Sequence, residues 1–204
     1  MKVVGLVLAG GQSRRMGGGD KTLRLLGGVS LLERVIERLQ PQVGAVVLNA
    51  NGDPARFAQF GLPVVPDSVP DFAGPLAGVL AGLDWTAAHH ADCPFIVSVA
   101  SDAPFLPADL VTRLADECGA VNADLACAAS AGRAHPVFGL WPVRLREDLR
   151  RAVLKEGVRK VDQWTSRHKI VTVSFRDAPV DPFFNANRPE DLTAAARLLQ
   201  QLNR

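Results

Sequence analysis

Cysteine is scarce in this chain. Three of the 204 residues, Cys93, Cys118 and Cys127, form an odd set without a C-x-x-C pair, which excludes a disulfide framework and offers no zinc knuckle. A reducing cytoplasm is therefore the expected setting. No apolar run approaches membrane-spanning length, and the N-terminus enters strand-like sequence without a charged leader or cleavage site, so neither a membrane span nor export is expected. Charge of one sign is not concentrated anywhere. The formal net charge is +2 with 22% charged residues dispersed along the chain, so there is no basic tail or stripe of the kind that binds nucleic acid. Acidic small molecules are the expected partners. Internal repeats, low-complexity stretches and a domain-separating linker are missing too. What remains is 48% hydrophobic, enough to bury one real core.

Two familiar nucleotide loops are also missing from the stretch LAGGQSRRMGGGDK, residues 8–21. A Walker loop ending at Lys21 would need glycine where Arg15 and Asp20 stand, and a carboxylate directly before the lysine is the wrong charge beside a triphosphate. Neither Gly10-Gly11 nor Gly17-Gly18-Gly19 continues with the spacing of the dinucleotide fingerprint. The stretch still has what a triphosphate needs. Glycines permit close backbone approach with N–H groups aimed at phosphate oxygens, and Arg14, Arg15 and Lys21 add positive charge. The competing reading is a solvated surface turn.

Short valine-rich runs at 2–8, 45–49, 63–65, 95–100 and 125–129 read as strands, bounded by Gly, Pro, Asp or Asn. Between them lie helical patterns. Ser30 to Glu33 matches a capping box that opens a helix stopping before Pro41; Asp53-Pro54 is a second helix start; 76–85 and 108–118 supply two further crossovers. Later, 124–130 and 136–141 read as a hairpin on the sheet edge, linked through 131–134. Residues 143–155 and 159–164 read as helical, 169–175 as a strand and 189–202 as a closing amphipathic helix. The expected fold is α/β: a three-layer, doubly wound, mostly parallel sheet with helices on both faces, in a single domain over residues 1–204. Such sheets bind ligands beyond the carboxyl ends of their strands, where residues 8–21 and 101–104 fall.

Asp102, after the apolar strand 95–100, either binds Mg²⁺ or caps a turn. Asp67 and the helix entry Gly74 to Gly78 either meet a base or ribose, or form an ordinary turn and Gly-Pro entry. Asn49 and Asn51 offer a base contact or a shaped turn, and for Asn51 the turn is preferred. Asn185 and Asn187 reach toward the metal or a second substrate, or simply precede the Pro189 helix start. His89-His90 reads as a solvated helix end, and neither His135 nor His168 has a neighbouring nucleophile. The cysteines read as small apolar packing residues.

With LAGGQSRRMGGGDK, LNAN, PDSVPDFAGPLAG, SDAPFLP and FNANRPEDL in order, the chain resembles the molybdenum cofactor guanylyltransferases, within the nucleotide-sugar-type nucleotidyltransferases, over residues 8–192. The resemblance implies a nucleotide-binding part over about 1–120 and an acceptor-binding part over about 121–204. Leu8, Ala9, Gly10, Asn49, Asp67 and Gly78 would surround the guanosine portion of GTP. Arg15 and Lys21 would contact phosphates, and Asp102 would bind Mg²⁺. Asn185 and Asn187 match the family's late asparagine pair near the metal or the pterin substrate, and His135 matches a position on the acceptor side. Two departures are Ser101, where many relatives have cysteine, and Arg188, where threonine is more usual.

The implied reaction is transfer of GMP from GTP to molybdenum-molybdopterin, with transient contact to molybdoenzymes and cofactor-insertion proteins. Arg15, Lys21 and Asp102 would carry the catalysis. Rivals are a cytidylyltransferase, a nucleotidyltransferase acting on another phosphorylated metabolite, and a noncatalytic carrier of nucleotide or cofactor.

Overall fold

The computed structural model describes residues 2–10, 21–69 and 74–202. Its strands are β1 (Val3–Leu8), β2 (Leu25–Leu26), β3 (Val29–Ser30), β4 (Ala45–Asn49), β5 (Val64–Val65), β6 (Phe95–Ala100), β7 (Leu125–Ser130), β8 (Arg133–Pro142) and β9 (Ile170–Ser174). The helices are α1 (Leu31–Leu39), α2 (Pro75–His89), α3 (Leu110–Ala120), α4 (Arg146–Leu154), α5 (Val161–Thr165) and α6 (Pro189–Leu202).

Val3 to Val7 are all buried, so β1 requires cover on both faces and on both edges. It lies between the parallel neighbours β4 and β6 in a seven-stranded sheet of order β5-β4-β1-β6-β8-β7-β9, in which only β8 runs antiparallel. On one face α1 and α3 enclose a core containing Val35, Leu39, Leu114 and Phe138. On the other, α2, α4 and α5 enclose Leu6, Leu80, Leu149 and Trp164. The doubly wound α/β reading therefore holds.

The 124–141 hairpin is not an edge addition. β8 sits between β6 and β7, and β9 takes the edge. The reason is burial: β7 is buried throughout and β8 from Phe138 onward, leaving no face for an outer position. Ser98 anchors the insertion, its hydroxyl donating to the Val137 carbonyl (2.5 Å) and accepting from Trp141 Nε1 (2.7 Å). The connection is also shorter than the expected 131–134. Ala131 and Gly132 alone turn the chain, at φ 49° and 71°, the positive pair that suits a two-residue hairpin.

Other boundaries differ for local reasons. Residues 54–60 form 3₁₀ turns rather than an α-helix, entered by Asp53 Oδ1 accepting from the Ala55 N–H and left through Gly61. The 143–155 segment divides into a 3₁₀ turn and α4. The hairpin of β2 and β3 has no counterpart in the sequence reading. It delivers Leu26 to a third core with Leu31, Phe105 and Ala195, which docks α6. The serine half of the expected capping box is present: Ser30 Oγ accepts from the Glu33 N–H at 3.1 Å.

Candidate active site

Parallel β1, β4 and β6 end side by side, so Leu8, Asn49 and Ala100 reach one rim of the sheet. Beyond β6 the chain turns at Ser101-Asp102, both buried, although a carboxylate here is costly without a partner. That partner is Lys21. Its Nζ forms an ion pair with Asp102 Oδ2 and donates to Asn187 Oδ1 at 2.6 Å. Residues 166 positions apart thereby meet at one ammonium group. The Ala186 N–H donates to the Asp102 carbonyl (3.0 Å), tying the late asparagine segment to the same turn. Asp102 therefore faces a cation, and among the described residues its carboxylate caps no turn N–H.

The backbone at Asn187 is held by the helix that follows it. Asp191, in the first turn of α6, accepts with Oδ2 from the Asn187 N–H (2.9 Å) and the Arg188 N–H (2.8 Å). This is the carboxylate half of a capping box; the other half, an N-cap side chain accepting from a first-turn N–H, has no counterpart in Arg188. Asn185 Oδ1 is buried and has no hydrogen-bond partner among the described residues.

On the other side of β1, Asn49 Nδ2 donates to the Val65 carbonyl (3.2 Å) and to Asp67 Oδ1 (3.0 Å). Asn51 holds the same carboxylate: its Nδ2 donates to Asp67 Oδ2 (2.8 Å), and its Oδ1 accepts from the Asp67 N–H (2.8 Å). Asn51 thus holds the Asp67 segment in place from 16 positions away. Gly78 is required by close approach. A Cβ there would stand 2.3 Å from Asn49 Oδ1 and 2.6 Å from Leu8 Cδ2. One turn on, a Cβ at Gly82 would stand 2.6 Å from Leu6 Cδ2, so the two glycines let α2 lie against β1. Gly10 lies near Asn49, with the amide oxygen 3.6 Å from its would-be Cβ, and the Ala9 N–H donates to the Asn49 carbonyl (2.9 Å).

His135 belongs to a separate group at the same rim. Its Nε2 is 2.7 Å from Ser130 Oγ, which is 2.7 Å from Asp181 Oδ1. Its ring packs on Phe183 (centroids 4.9 Å apart), which itself contacts Phe138 and Phe175. Burial pushes the His135 pKa down, although Asp181 opposes the shift.

The structure thus gathers Leu8, Ala9, Gly10, Asn49, Asp67 and Gly78 in one group. Lys21, Asp102 and Asn187 form a second, with Asn185 in the same late segment. Arg15, with the rest of 11–20, and 70–73 of PDSVPDFAGPLAG lie outside the described residues. Sequence reasoning did not find Ser130, Asp181 or Asp191 as supports; only Asp191, among the acids after Pro189, carried a local signal.

Away from this rim, His90, Asp92 and Cys93 bring candidate ligand atoms within 4.8 Å of one another before β6. There Asp92 is engaged by Lys2 at 2.5 Å. His89 and His90 pack on Trp85, in keeping with a helix end. Among the described residues no helix is long and apolar enough to cross a membrane.

A family profile described as "MobA-like NTP transferase domain" matches residues 5–171. A protein of Bradyrhizobium sp. (strain ORS 278) named molybdenum cofactor guanylyltransferase is 62% identical over 196 residues, covering 96% of this chain and 92% of that protein. One of the same name from Nitrobacter hamburgensis is 56% identical over 194 residues, covering 95% and 93%. Among solved structures, molybdopterin-guanine dinucleotide biosynthesis protein A from Archaeoglobus fulgidus matches with TM-score 0.76 at 24% identity, over 98% of this chain and all of that one. Rv0371C of Mycobacterium tuberculosis, solved in complex with manganese, matches with TM-score 0.70 at 18% identity, over 97% and 99%. These two structures share the fold.

Proposed function

The chain belongs to the family of MobA-like NTP transferase domains, and from that premise we propose that it transfers GMP from GTP to molybdenum-molybdopterin, releasing pyrophosphate. The observation that carries this reading is the meeting of Lys21, Asp102 and Asn187 at the sheet rim, beside the Asn49–Asp67 pair. One group suits phosphates and a cation. The other suits a nucleoside.

The acceptor phosphate is already anionic, so its attack on the α-phosphate needs no strong general base. The obstacle is repulsion between two anions. Lys21 offsets it with a positive charge held close by, and Arg15 serves the same end in this reading. The Asp67 carboxylate, whose two oxygens are oriented by Asn49 and Asn51, accepts hydrogen bonds from the guanosine portion. Leu8, Ala9, Gly10 and Gly78 supply the close backbone around it.

The donor set fits Mg²⁺. Asp102 is a buried carboxylate, Asn187 Oδ1 already accepts from a cation, and Asn185 Oδ1 is a buried oxygen without a partner among the described residues. Asp102 would hold the ion with the asparagine pair beside it. When bound, Mg²⁺ supplies positive charge to the triphosphate and departing pyrophosphate.

In this reading residues 1–120 form the nucleotide-binding part and 121–204 the acceptor part of one domain. His135 and the asparagine pair serve the acceptor. The enzyme acts in the cytoplasm, where its three unpaired cysteines are suited, and passes its product to molybdoenzymes or their cofactor-insertion proteins.

The test is pyrophosphate release with each of the four ribonucleoside triphosphates, with and without Mg²⁺, in the presence of molybdenum-loaded molybdopterin. Release confined to GTP, Mg²⁺ and acceptor is expected. Release with CTP alone would replace the substrate.

A further inference from the structure

Ser130 Oγ lies 2.7 Å from both Asp181 Oδ1 and His135 Nε2, and the direction of these two hydrogen bonds is fixed by chemistry. A carboxylate only accepts, so the single hydroxyl proton goes to Asp181. The imidazole must then donate from Nε2, leaving Nδ1 as a lone-pair acceptor. Among the described residues, Nδ1 takes no hydrogen-bond partner. This order is His–Ser–Asp, not Ser–His–Asp. The Ser130 proton is committed to the carboxylate, so the group is not a nucleophile with its base.

Each member is anchored. Asp181 Oδ1 also accepts from the Phe183 N–H (3.0 Å), while Phe183 packs at 4.9 Å on the His135 ring and Phe138 meets that ring edge-on at 6.2 Å. The arrangement is at the reacting rim. His135 lies near the start of β8, the antiparallel neighbour of β6, whose far end leads to Asp102. Phe183 leads directly to Asn185 and to Ala186, whose N–H donates to the Asp102 carbonyl. Burial favours the neutral ring.

We propose that His135 Nδ1 is a dedicated hydrogen-bond acceptor for an N–H of the substrate's pterin ring, and that Ser130 and Asp181 are positioning residues that fix the tautomer offering it. The proposal rests on the acceptor reading given above. A pterin presents an amide N–H and an exocyclic amine on one edge, which is the complement such an acceptor recognises. A ring locked as the Nδ1–H tautomer would reject that edge.

Two measurements on the full chain test this. Two-bond ¹H–¹⁵N spectra should show His135 with a pyridine-like Nδ1 and a pyrrole-like Nε2, and Ser130→Ala should replace that fixed pattern with an averaged one. The second measurement is equilibrium binding of molybdopterin without GTP. His135→Gln keeps a group toward Ser130 but offers nothing at the Nδ1 position, and should weaken binding about tenfold or more. His135→Asn places an amide oxygen near that position and should recover most of the loss, with the equilibrium Kd for GTP unchanged in both variants. A reversed or averaged tautomer in the wild type, equal binding by the Gln and Asn variants, or a matching rise in the Kd for GTP would overturn the proposal. Neither readout requires nucleotide transfer, so absence of transfer would count against the reaction and not against this site.

Discussion

The Lys21 ammonium is bound to the Asp102 carboxylate and, through the same nitrogen, to Asn187 Oδ1 at 2.6 Å. The pair is largely shielded, with side-chain exposures of 21% and 9%. Lys21 thus supplies positive charge where the proposed cation ligands converge. Replacing Lys21 with alanine should lower single-turnover transfer by about a hundredfold or more, the scale of losing a principal charge-stabilising contact. Lys21→Arg should not restore it, because a planar fork cannot reproduce a point charge shared between a carboxylate and an amide oxygen. Near-normal turnover in either variant would remove Lys21 from the mechanism.

Gly78 and Gly82 separate a binding effect from a packing effect. Gly78→Ala drives a Cβ to within 2.3 Å of Asn49 Oδ1, so Asn49 must move and loosen its hold on Asp67. KM for GTP should rise by about threefold to tenfold, the worth of a hydrogen bond or two. Gly82→Ala meets Leu6 Cδ2 at 2.6 Å and should cost about 1–3 kcal/mol of stability by overpacking, with KM for GTP unchanged. Steady-state kinetics alongside thermal unfolding distinguishes them. Equal KM values would mean that Asn49 and Asp67 do not contact the nucleotide.

The Asp191 carboxylate caps α6 from within, so Asp191→Ala should cost about 0.5–2 kcal/mol, the range for a lost cap. Because one of the freed N–H groups belongs to Asn187, transfer should fall as well, at temperatures where the variant remains folded. Circular dichroism melting and turnover at a low temperature check the two effects. A stability loss with intact turnover would show that the position of Asn187 does not matter.

Cys127 gives a pH dependence with a definite sign. Burial pushes its thiol up to about 11, whereas an exposed thiol titrates near 9. Between these values the unfolded chain has released a proton that the folded chain keeps, so stability falls as pH rises. The contribution is intact below the unfolded value and lost by about pH 11, a change of about 2–3 kcal/mol at most. Urea midpoints at pH 8 and 10.5 should fall further for the wild type than for Cys127→Ala. Parallel falls would contradict it.

Much of this was legible because it is local. β4, β6 and α6 follow from runs of apolar residues and a proline start, with bounds that match the expected segments. The clustering of Asn49, Asp67 and Asp102 at strand ends follows from the parallel sheet itself. The position of β8 was not legible, since insertion beside β6 is decided by burial and by the Ser98–Trp141 hydrogen bond across 43 positions. Ser130 and Asp181 are 51 positions apart, and neither has a neighbour in sequence that marks it. Asn51 was read as a turn residue because its value lies in what it holds, not in what it touches. The Gly27-Gly28 turn was passed over because strands of two residues have no period to detect.

The most direct measurement follows the α-phosphate. The full chain is incubated with molybdenum-loaded molybdopterin, Mg²⁺ and GTP labelled either at the α or at the γ position. The account predicts α-label in the pterin dinucleotide, γ-label in pyrophosphate, and none retained covalently on the protein. Tightly bound, intact GTP with no label reaching the acceptor would contradict it and identify a carrier.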